Sequence, residues 1–544
     1  MVLNNHQKFL KELFKDKASF YTAIELSDIL CGEFSIKSNY ARQIISRAAK
    51  NDKVIKSSKP FKLAHNQYYY MHPSSSIDFP TLINVSKKYK KALYRLLFVL
   101  DQNEGIISMY EARKLTSTPV YNQDKYKLIS LRKELALLIS LDIVIVKTDK
   151  ETGIEFIIKK SEEHQSYDLI KTHREKMNED AVFVVDIIRW FTKRGFITGS
   201  PIYRNKKDPS KGAVINDFLF DVKAFTQTTG FNIGNSDSQN EKSLVCMDIL
   251  LYRQYRKIDL DSFYDRVQSI RHSTKPNNPP RKVMPIVIYQ DVDEQIKTQL
   301  NNLHILHFSL QDVLGINAKS VLKNIQSLRQ LIEVSYDLNK EESIKVIKTV
   351  QESLGLIEKS GQEDNMQNVK GDMFETLLFT IFTSMFPQDK VKHSVFIRKP
   401  DKPNEPPSNK EYYEYDLVVE RNKEIIIIEL KGLKNSTIIN LGPYDKKDTV
   451  AWFMNNTFLV AKEYYKETPS LNKSHIKACY ITSANFSKES LEKLNEFNAS
   501  SIKPNDLDCF YDGKKLLKLL KENDKIEEIR DTTKFVETLE RYYL

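Results

Sequence analysis

No run of consecutive apolar residues in this sequence approaches the ~18 that a membrane-crossing helix needs, so a membrane span is not expected. Cysteine is scarce: Cys31, Cys246, Cys479 and Cys509 stand far apart and form no Cys-x-x-Cys pair. That spacing argues against a structural zinc site and suits a reducing compartment, with buried free thiols as the simplest role. The opening stretch, Met1–Phe14, lacks the continuous apolar segment of a signal peptide. A cytoplasmic protein with no membrane partner is therefore expected. Disorder is excluded too, because 41% hydrophobic and 28% charged residues is the balance of a folded chain.

What is present points to several domains and a polyanionic partner. A chain of 544 residues exceeds one ordinary core, and three or four domains are expected. Its formal charge of +11 favours nucleic acid without requiring it. Residues 1–75 show three amphipathic helical patterns: Phe9, Leu10, Leu13 and Phe14; then Ile24, Leu26, Ile29 and Leu30; then Ile44, Ile45 and Ala48. Two short β-like runs follow, Lys53–Lys56 and Asn66–Met71. Helix, helix, helix and hairpin is the order of a winged helix-turn-helix. The third helix carries Lys37, Asn39, Tyr40, Arg42, Gln43, Arg47 and Lys50, residue types that reach phosphates and base edges. Residues 1–72 hold 12 Lys and Arg against 6 Asp and Glu, which strengthens that reading over a packing role alone.

Residues 85–162 repeat the pattern. A helix through Leu93, Leu96, Leu97 and Leu100 precedes a short one near Ser108–Leu115. A third, from about Asp124 to Leu138, carries Lys125, Lys127, Arg132 and Lys133. Asp149-Lys-Glu-Thr-Gly153 then marks a hairpin turn. A middle α/β domain is expected over 175–315 and a helical connector over 316–362. Within the middle domain, Asp221-Val-Lys223 follows Asp208 by the same 13 residues that separate Asp416 from Glu429. Asp217 with Asp248-Ile-Leu250 offers a rival register. A degenerate copy of the later domain and an independent α/β domain both stay open.

The chemistry concentrates in 365–544. Glu414–Gly432 reads as two strands joined at Arg421-Asn422-Lys423, and Ile425–Ile428 marks the second as buried on both faces. That turn sets Asp416 opposite residues 428 to 429, where cross-strand neighbours lie about 4.5–5.5 Å apart. Glu429 and Lys431, two residues apart, leave one face of the strand. Two facing carboxylates suit a hard divalent cation such as Mg²⁺ or Mn²⁺. A nearby lysine could orient water and stabilise charge on a phosphate.

Helix-borne Glu375, then Asp416, then Glu429-x-Lys431 resembles the PD-(D/E)xK nuclease superfamily, the restriction-endonuclease-like fold. Tyr480-Ile-Thr-Ser-Ala-Asn-Phe-Ser487 and Phe510-Tyr-Asp-Gly-Lys-Lys-Leu516 are similar to its Mrr-like branch. The resemblance covers about residues 365–522. It implies metal-dependent hydrolysis of DNA phosphodiesters, with Asp416 and Glu429 as metal ligands, Glu375 as a supporting metal-site acid and Lys431 as the catalytic lysine. One departure stands out: Tyr415, not proline, precedes Asp416, and the literal Pro400-Asp401 falls in a Pro-rich loop away from the hairpin.

The expected architecture is thus multidomain α+β and α/β. It has two N-terminal winged helices, a middle α/β domain and a C-terminal restriction-endonuclease-like domain. The expected activity is DNA cleavage of the restriction or anti-phage defence type, compatible with a homodimer. Two rivals stay open: a ligand- or partner-activated RNA-cutting effector, and a non-catalytic DNA-binding regulator on a nuclease scaffold.

Overall fold

Two short signatures, Thr22-Ala-Ile-Glu25 and Ser108-Met-Tyr-Glu111, organise the first part of the chain. A hydroxyl at the N-cap and a glutamate three residues on satisfy each other's backbone N–H groups and start a helix. The computed structural model describes residues 4–63, 67–121, 130–150, 152–205, 209–227, 243–272, 282–334, 340–398, 412–421, 423–434, 436–443, 449–468, 475–522 and 532–544. Both signatures form the reciprocal cap there.

Each cap belongs to the same succession of elements. The first runs α1 (Asn5–Leu13), β1 (Phe20–Thr22), α2 (Ala23–Phe34), α3 (Ser38–Ala48), β2 (Lys56–Ser57) and β3 (Tyr69–Met71). Helix α4 (Phe79–Tyr89) follows it. The second runs α5 (Lys91–Gln102), β4 (Ile106–Ser108), α6 (Met109–Thr116), α7 (Leu131–Ser140), β5 (Val144–Thr148) and β6 (Glu155–Lys159). Their sheets have matching orders, β1–β3–β2 and β4–β6–β5, with antiparallel neighbours. Helices α2 and α6 even end alike, on Ser35 and Ser117 with φ of 48° and 52°. The helix after each copy grips its capping glutamate. Lys88 Nζ lies 2.7 Å from Glu25, to which Tyr89 also donates. His173 Nε2, on α8 (Ser166–Val182), lies 2.5 Å from Glu111.

The strand before each capped helix is absent from the sequence-based expectation, because three residues are too few to display a two-residue period. The third helix of the second copy, expected from about Asp124, starts at Leu131, where Ser130 Oγ accepts from the Lys133 N–H. Lys125 and Lys127 lie outside the described residues.

The middle of the chain continues with α9 (Val184–Lys193), β7 (Thr198–Tyr203), β8 (Ala213–Ile215), β9 (Phe218–Phe220), β10 (Val222–Thr226), β11 (Ser243–Leu250), α10 (Lys257–Arg271), β12 (Val283–Tyr289), α11 (Glu294–Asn302), β13 (Leu306–Ser309) and α12 (Leu310–Leu314). Strands β13–β12–β11–β10–β7 form one sheet, with β12 and β13 parallel, while β8 and β9 pair separately. The strand expected across Phe218–Phe225 breaks at Asp221. Its buried carboxylate accepts from the Tyr110 hydroxyl at 2.8 Å and pairs with Lys114 Nζ at 2.5 Å. That anchoring accounts for the acid of Asp221-Val-Lys223; Asp208 lies outside the described residues.

Helices α13 (Ala318–Val334) and α14 (Lys340–Lys359) lead to α15 (Gln367–Met385). The last sheet comprises β14 (Lys390–Arg398), β15 (Tyr412–Glu420), β16 (Glu424–Lys431), β18 (His475–Thr482) and β20 (Phe510–Tyr511), in that order. Strand β17 (Ile438–Ile439) pairs with β19 (Asn485–Phe486) beside it. Helices α16 (Val450–Trp452) and α17 (Phe458–Glu467) are joined by a π-helical turn, and α18 (Lys488–Asn498), α19 (Gly513–Glu522) and α20 (Thr532–Tyr542) complete the set. The chain divides into two compact units: residues 1–174, 210–223 and 256–283 in one, and 175–209, 224–255 and 284–544 in the other. Among the described residues no helix is long and apolar enough to cross a membrane.

Helix α15 starts without a side-chain cap of its own. Asp186 of α9 supplies one: its fully buried carboxylate accepts from the N–H groups of Asn368 at 3.0 Å and Val369 at 3.2 Å and pairs with Arg189 at 2.8 Å. Burial nevertheless outweighs those partners and pushes the carboxyl up to about 7. Between the ordinary carboxyl value near 4 and 7, the folded chain holds a proton that the unfolded chain has released, so this group's contribution to stability falls as pH rises. Urea unfolding should therefore show a slope in stability across that window that Asp186→Asn flattens. Asp186→Ala, which strands the N–H groups of Asn368 and Val369, should cost about 1–3 kcal/mol near pH 4, where the carboxyl is protonated, and less as pH rises.

Candidate active site

Strand β16 is central in its sheet, antiparallel to β15 and parallel to β18, and its isoleucines 425–428 are fully buried. β-Branched side chains suit such a strand because they fill a pleated surface at little loss of rotamer freedom. Ile425 and Ile427 pack with Val418, Phe453, Phe458, Ala478 and Tyr480 in one apolar cluster. Glu429 and Lys431 continue that face beyond the last isoleucine.

The regular pairing of β15 with β16 stops at Leu417–Ile428, one step short of Asp416. On the other side of β15, the ladder with β14 skips Ser394, which has a φ of 50°. Tyr413, Tyr415 and Val418 all join the same cluster, so the two-residue alternation of β15 shifts where Asp416 sits. The ladder with β14 keeps one residue opposite one on either side of this point, so the break redirects a side chain without inserting a residue. Asp416 thereby turns its carboxylate inward, and Oδ2 accepts from the Leu430 N–H at 2.7 Å.

Three charged groups meet at this point. Lys431 Nζ lies 2.6 Å from Glu429 Oε1 and 4.0 Å from Asp416 Oδ2. The Asp416 side chain is 4% exposed, and those of Glu429 and Lys431 are 14% and 16% exposed. One acid is thus fixed from behind by the backbone, and the other acid and the lysine reach solvent.

The main chain leaving β16 is held from two sides. Thr482 Oγ1 donates to the Lys431 carbonyl at 2.8 Å, and the Ser483 N–H donates to it at 3.2 Å. Ser483 Oγ bonds both the N–H and the carbonyl of Leu433, at 2.8 and 2.7 Å. Opposite, Phe374 of α15 packs so closely on Gly432 that an added Cβ would lie 2.4 Å from the Phe374 Cβ. Half-buried Glu375 is the next residue along that helix. Its carboxylate and that of Asp372, after burial itself, raise the Tyr543 hydroxyl well above its ordinary value. The sequence reading singled out the Thr482-Ser483 string without its purpose. The backbone clamp is the part it missed, and a paired hydroxyl doublet at the end of a parallel neighbour was the available signal.

Asp416 and Glu429 offer hard oxygen donors at a partly solvated position, the type that Mg²⁺ or Mn²⁺ takes. Mg²⁺ is commonly held by one or two carboxylates, with water and substrate completing its shell. Among the described residues no group of three or more His, Cys, Asp or Glu side chains forms a cage for a metal ion. The donor set on β15 and β16 fits a cation held by two carboxylates.

The basic residues expected to meet nucleic acid lie in the other unit. Lys37, Tyr40, Arg42, Gln43 and Arg47 are all exposed on or beside α3, whose Ala41, Ile44, Ile45 and Ala48 face the core. Tyr40 makes an edge contact with His6, ring centroids 6.0 Å apart. In the second copy Arg132 and Lys133 are exposed on the first turn of α7, and Lys125 lies outside the described residues.

No family model matches this chain, and no curated protein matches it. Among solved structures it is similar to protein VC1899 from Vibrio cholerae, at 10% identity over 51% of this chain and 81% of that one. The TM-score of that match is 0.21, too low to bear on fold or function.

The Gly432–Phe374 contact makes a direct test of how the helix and strand depend on each other. Gly432→Ala should destabilise the chain by about 1–3 kcal/mol through overpacking, read as a lower urea midpoint. Phe374→Ala removes the ring but keeps the Cβ that the new methyl meets, so Gly432→Ala should remain destabilising in that background.

Proposed function

We propose that this chain is a metal-dependent nuclease that hydrolyses DNA phosphodiester bonds, with the C-terminal sheet as a restriction-endonuclease-like catalytic domain. The observation that supports the reading is the meeting of Asp416, Glu429 and Lys431 at the end of one buried strand, with the lysine between both acids. A divalent cation bound by Asp416 and Glu429 would polarise the phosphate and lower the pKa of bound water, with Glu375 outside that pair. Asp416, fixed by the Leu430 N–H, presents one oxygen in a set direction and loses no freedom when substrate arrives. Lys431 exchanges its contact with Glu429 for the phosphate or the attacking water. Its ammonium can orient that water and offset the negative charge that builds on phosphorus. The Thr482 and Ser483 clamp keeps the Lys431 backbone in place during that exchange.

In the same reading the two repeated front modules are winged helices, and the exposed face of α3 is the surface that holds DNA. Tethering them to the cutter raises the local concentration of substrate. Defence against foreign DNA is the setting this combination suits.

Incubation of the purified chain with plasmid DNA and with RNA decides the chemistry. Mg²⁺-dependent DNA cleavage should stop with EDTA and fall about 100-fold or more in Lys431→Ala. Cleavage that survives both would sink the site, and cleavage of RNA alone would move the substrate to RNA. Arg42→Ala with Arg47→Ala should weaken duplex binding and flatten its salt dependence by roughly two phosphate contacts. An unchanged slope would return α3 to a packing role.

A further inference from the structure

Beyond Lys431, the chain runs through Gly432 and Leu433 to Lys434, beside the start of α15. Lys434 Nζ pairs with Asp364, and Lys193 Nζ, at the end of α9, lies 3.4 Å from the Asp364 carbonyl. Lys370, in the opening turns of α15, is within electrostatic range of Asp364 and Lys434. Three lysines therefore converge around one acid that is itself 66% exposed. Glu363 and Glu358 are the other acids within range of Lys370.

Lys370 is the unusual member. It is 8% exposed, and among the described residues its ammonium makes no hydrogen bond or ion pair. Tyr543 holds it in place: the ring centroid is 5.8 Å from Nζ, and the hydroxyl donates to the Lys370 carbonyl at 2.6 Å. Burial, with Lys434 adding its own positive charge, lowers the Lys370 pKa. The Lys370 side chain is largely buried, and Glu363, Glu358 and Asp364 act on its ammonium only at a distance, so a bound anion would give it a direct partner.

Resting on the nuclease reading, we propose that Lys370, Lys434 and Lys193 form a phosphate subsite that grips the nucleic-acid backbone beside the cleavage point. The three residues from Lys431 to Lys434 can span at most about 10 Å, at ~3.3 Å each. That corresponds to roughly three nucleotides at 3.4 Å of rise per strand. Lys434 releases the exposed Asp364 to take a phosphate, and Lys370 meets the same group from below. With Lys431 on the scissile phosphate and this cluster on one farther along, the strand is held at two points along its backbone.

The test uses the full chain carrying Lys431→Ala, titrated with a short labelled DNA duplex from about 50 to 200 mM salt. Adding Lys434→Ala should reduce the slope of log affinity against log salt by about 1, the loss of one phosphate contact. Lys370→Met should do the same, and Lys434→Arg should restore the parent slope. Lys434 is exposed enough to change without risk to folding, so the result does not depend on the Lys370 variant. Unchanged slopes in both variants, or no duplex binding by the parent at the lowest salt, would overturn the subsite. Absence of cleavage by the unaltered chain would overturn the catalytic reading alone, since binding is what this experiment reads.

Discussion

The carboxylate of Asp416 is the constraint around which the C-terminal sheet is arranged. It sits in an almost closed position beside four buried isoleucines, where an unsatisfied charge would cost several kcal/mol. The Leu430 N–H bonds it directly, and Lys431 and Glu429 complete a partly solvated charge cluster in front of it. Each supporting feature follows from that placement. Strand β15 slips its alternation to aim the acid, Gly432 lets α15 approach, and Thr482 and Ser483 hold the strand end that carries the lysine.

The front of the chain solves a different problem with one repeated device. Two small modules each start a helix with a hydroxyl and a glutamate, and each then uses that glutamate a second time to receive the following helix. The partner differs, a lysine and a tyrosine in one case and a histidine in the other. The position on the capped helix is the same. A side chain with two oxygens can serve the local cap and the tertiary contact together. Small modules of this size gain from such double use, because their own cores are limited.

Much of this was legible in the residues. β-Branched repetition marked β16, and the spacing of Asp416, Glu429 and Lys431 brought out three groups that the fold does bring together. The succession of strands and helices along the chain around them was partly readable from their periods; their order in the sheet was not. What was not legible depends on tertiary placement. Nothing in Tyr-Asp-Leu announces that the alternation slips at Asp416, because the slip follows from packing of Tyr413, Tyr415 and Val418 into one cluster. Asp186 looks like any helical acid until it is seen capping a helix that starts about 180 residues later. Asp221-Val-Lys223 copied the acid-x-lysine spacing of β16, yet its acid is taken up by Tyr110 and Lys114. Spacing alone cannot separate an ion-pair anchor from a reactive group.

The slip at Asp416 also bears on how the sheet assembles. Ile425, Ile426, Ile427 and Ile428 are interchangeable as far as burial is concerned, and a hairpin displaced by two residues would still hide isoleucine on both faces. Such degenerate pairings trap a folding chain in near-native arrangements. Only one alignment lets Asp416 meet the Leu430 N–H while Arg421 pairs with the buried Glu424 at 3.1 Å at the opposite end of the strand. The acid proposed to cut a nucleic-acid chain therefore also works as a registration pin, rejecting misaligned hairpins while the protein's own chain is still searching for its fold.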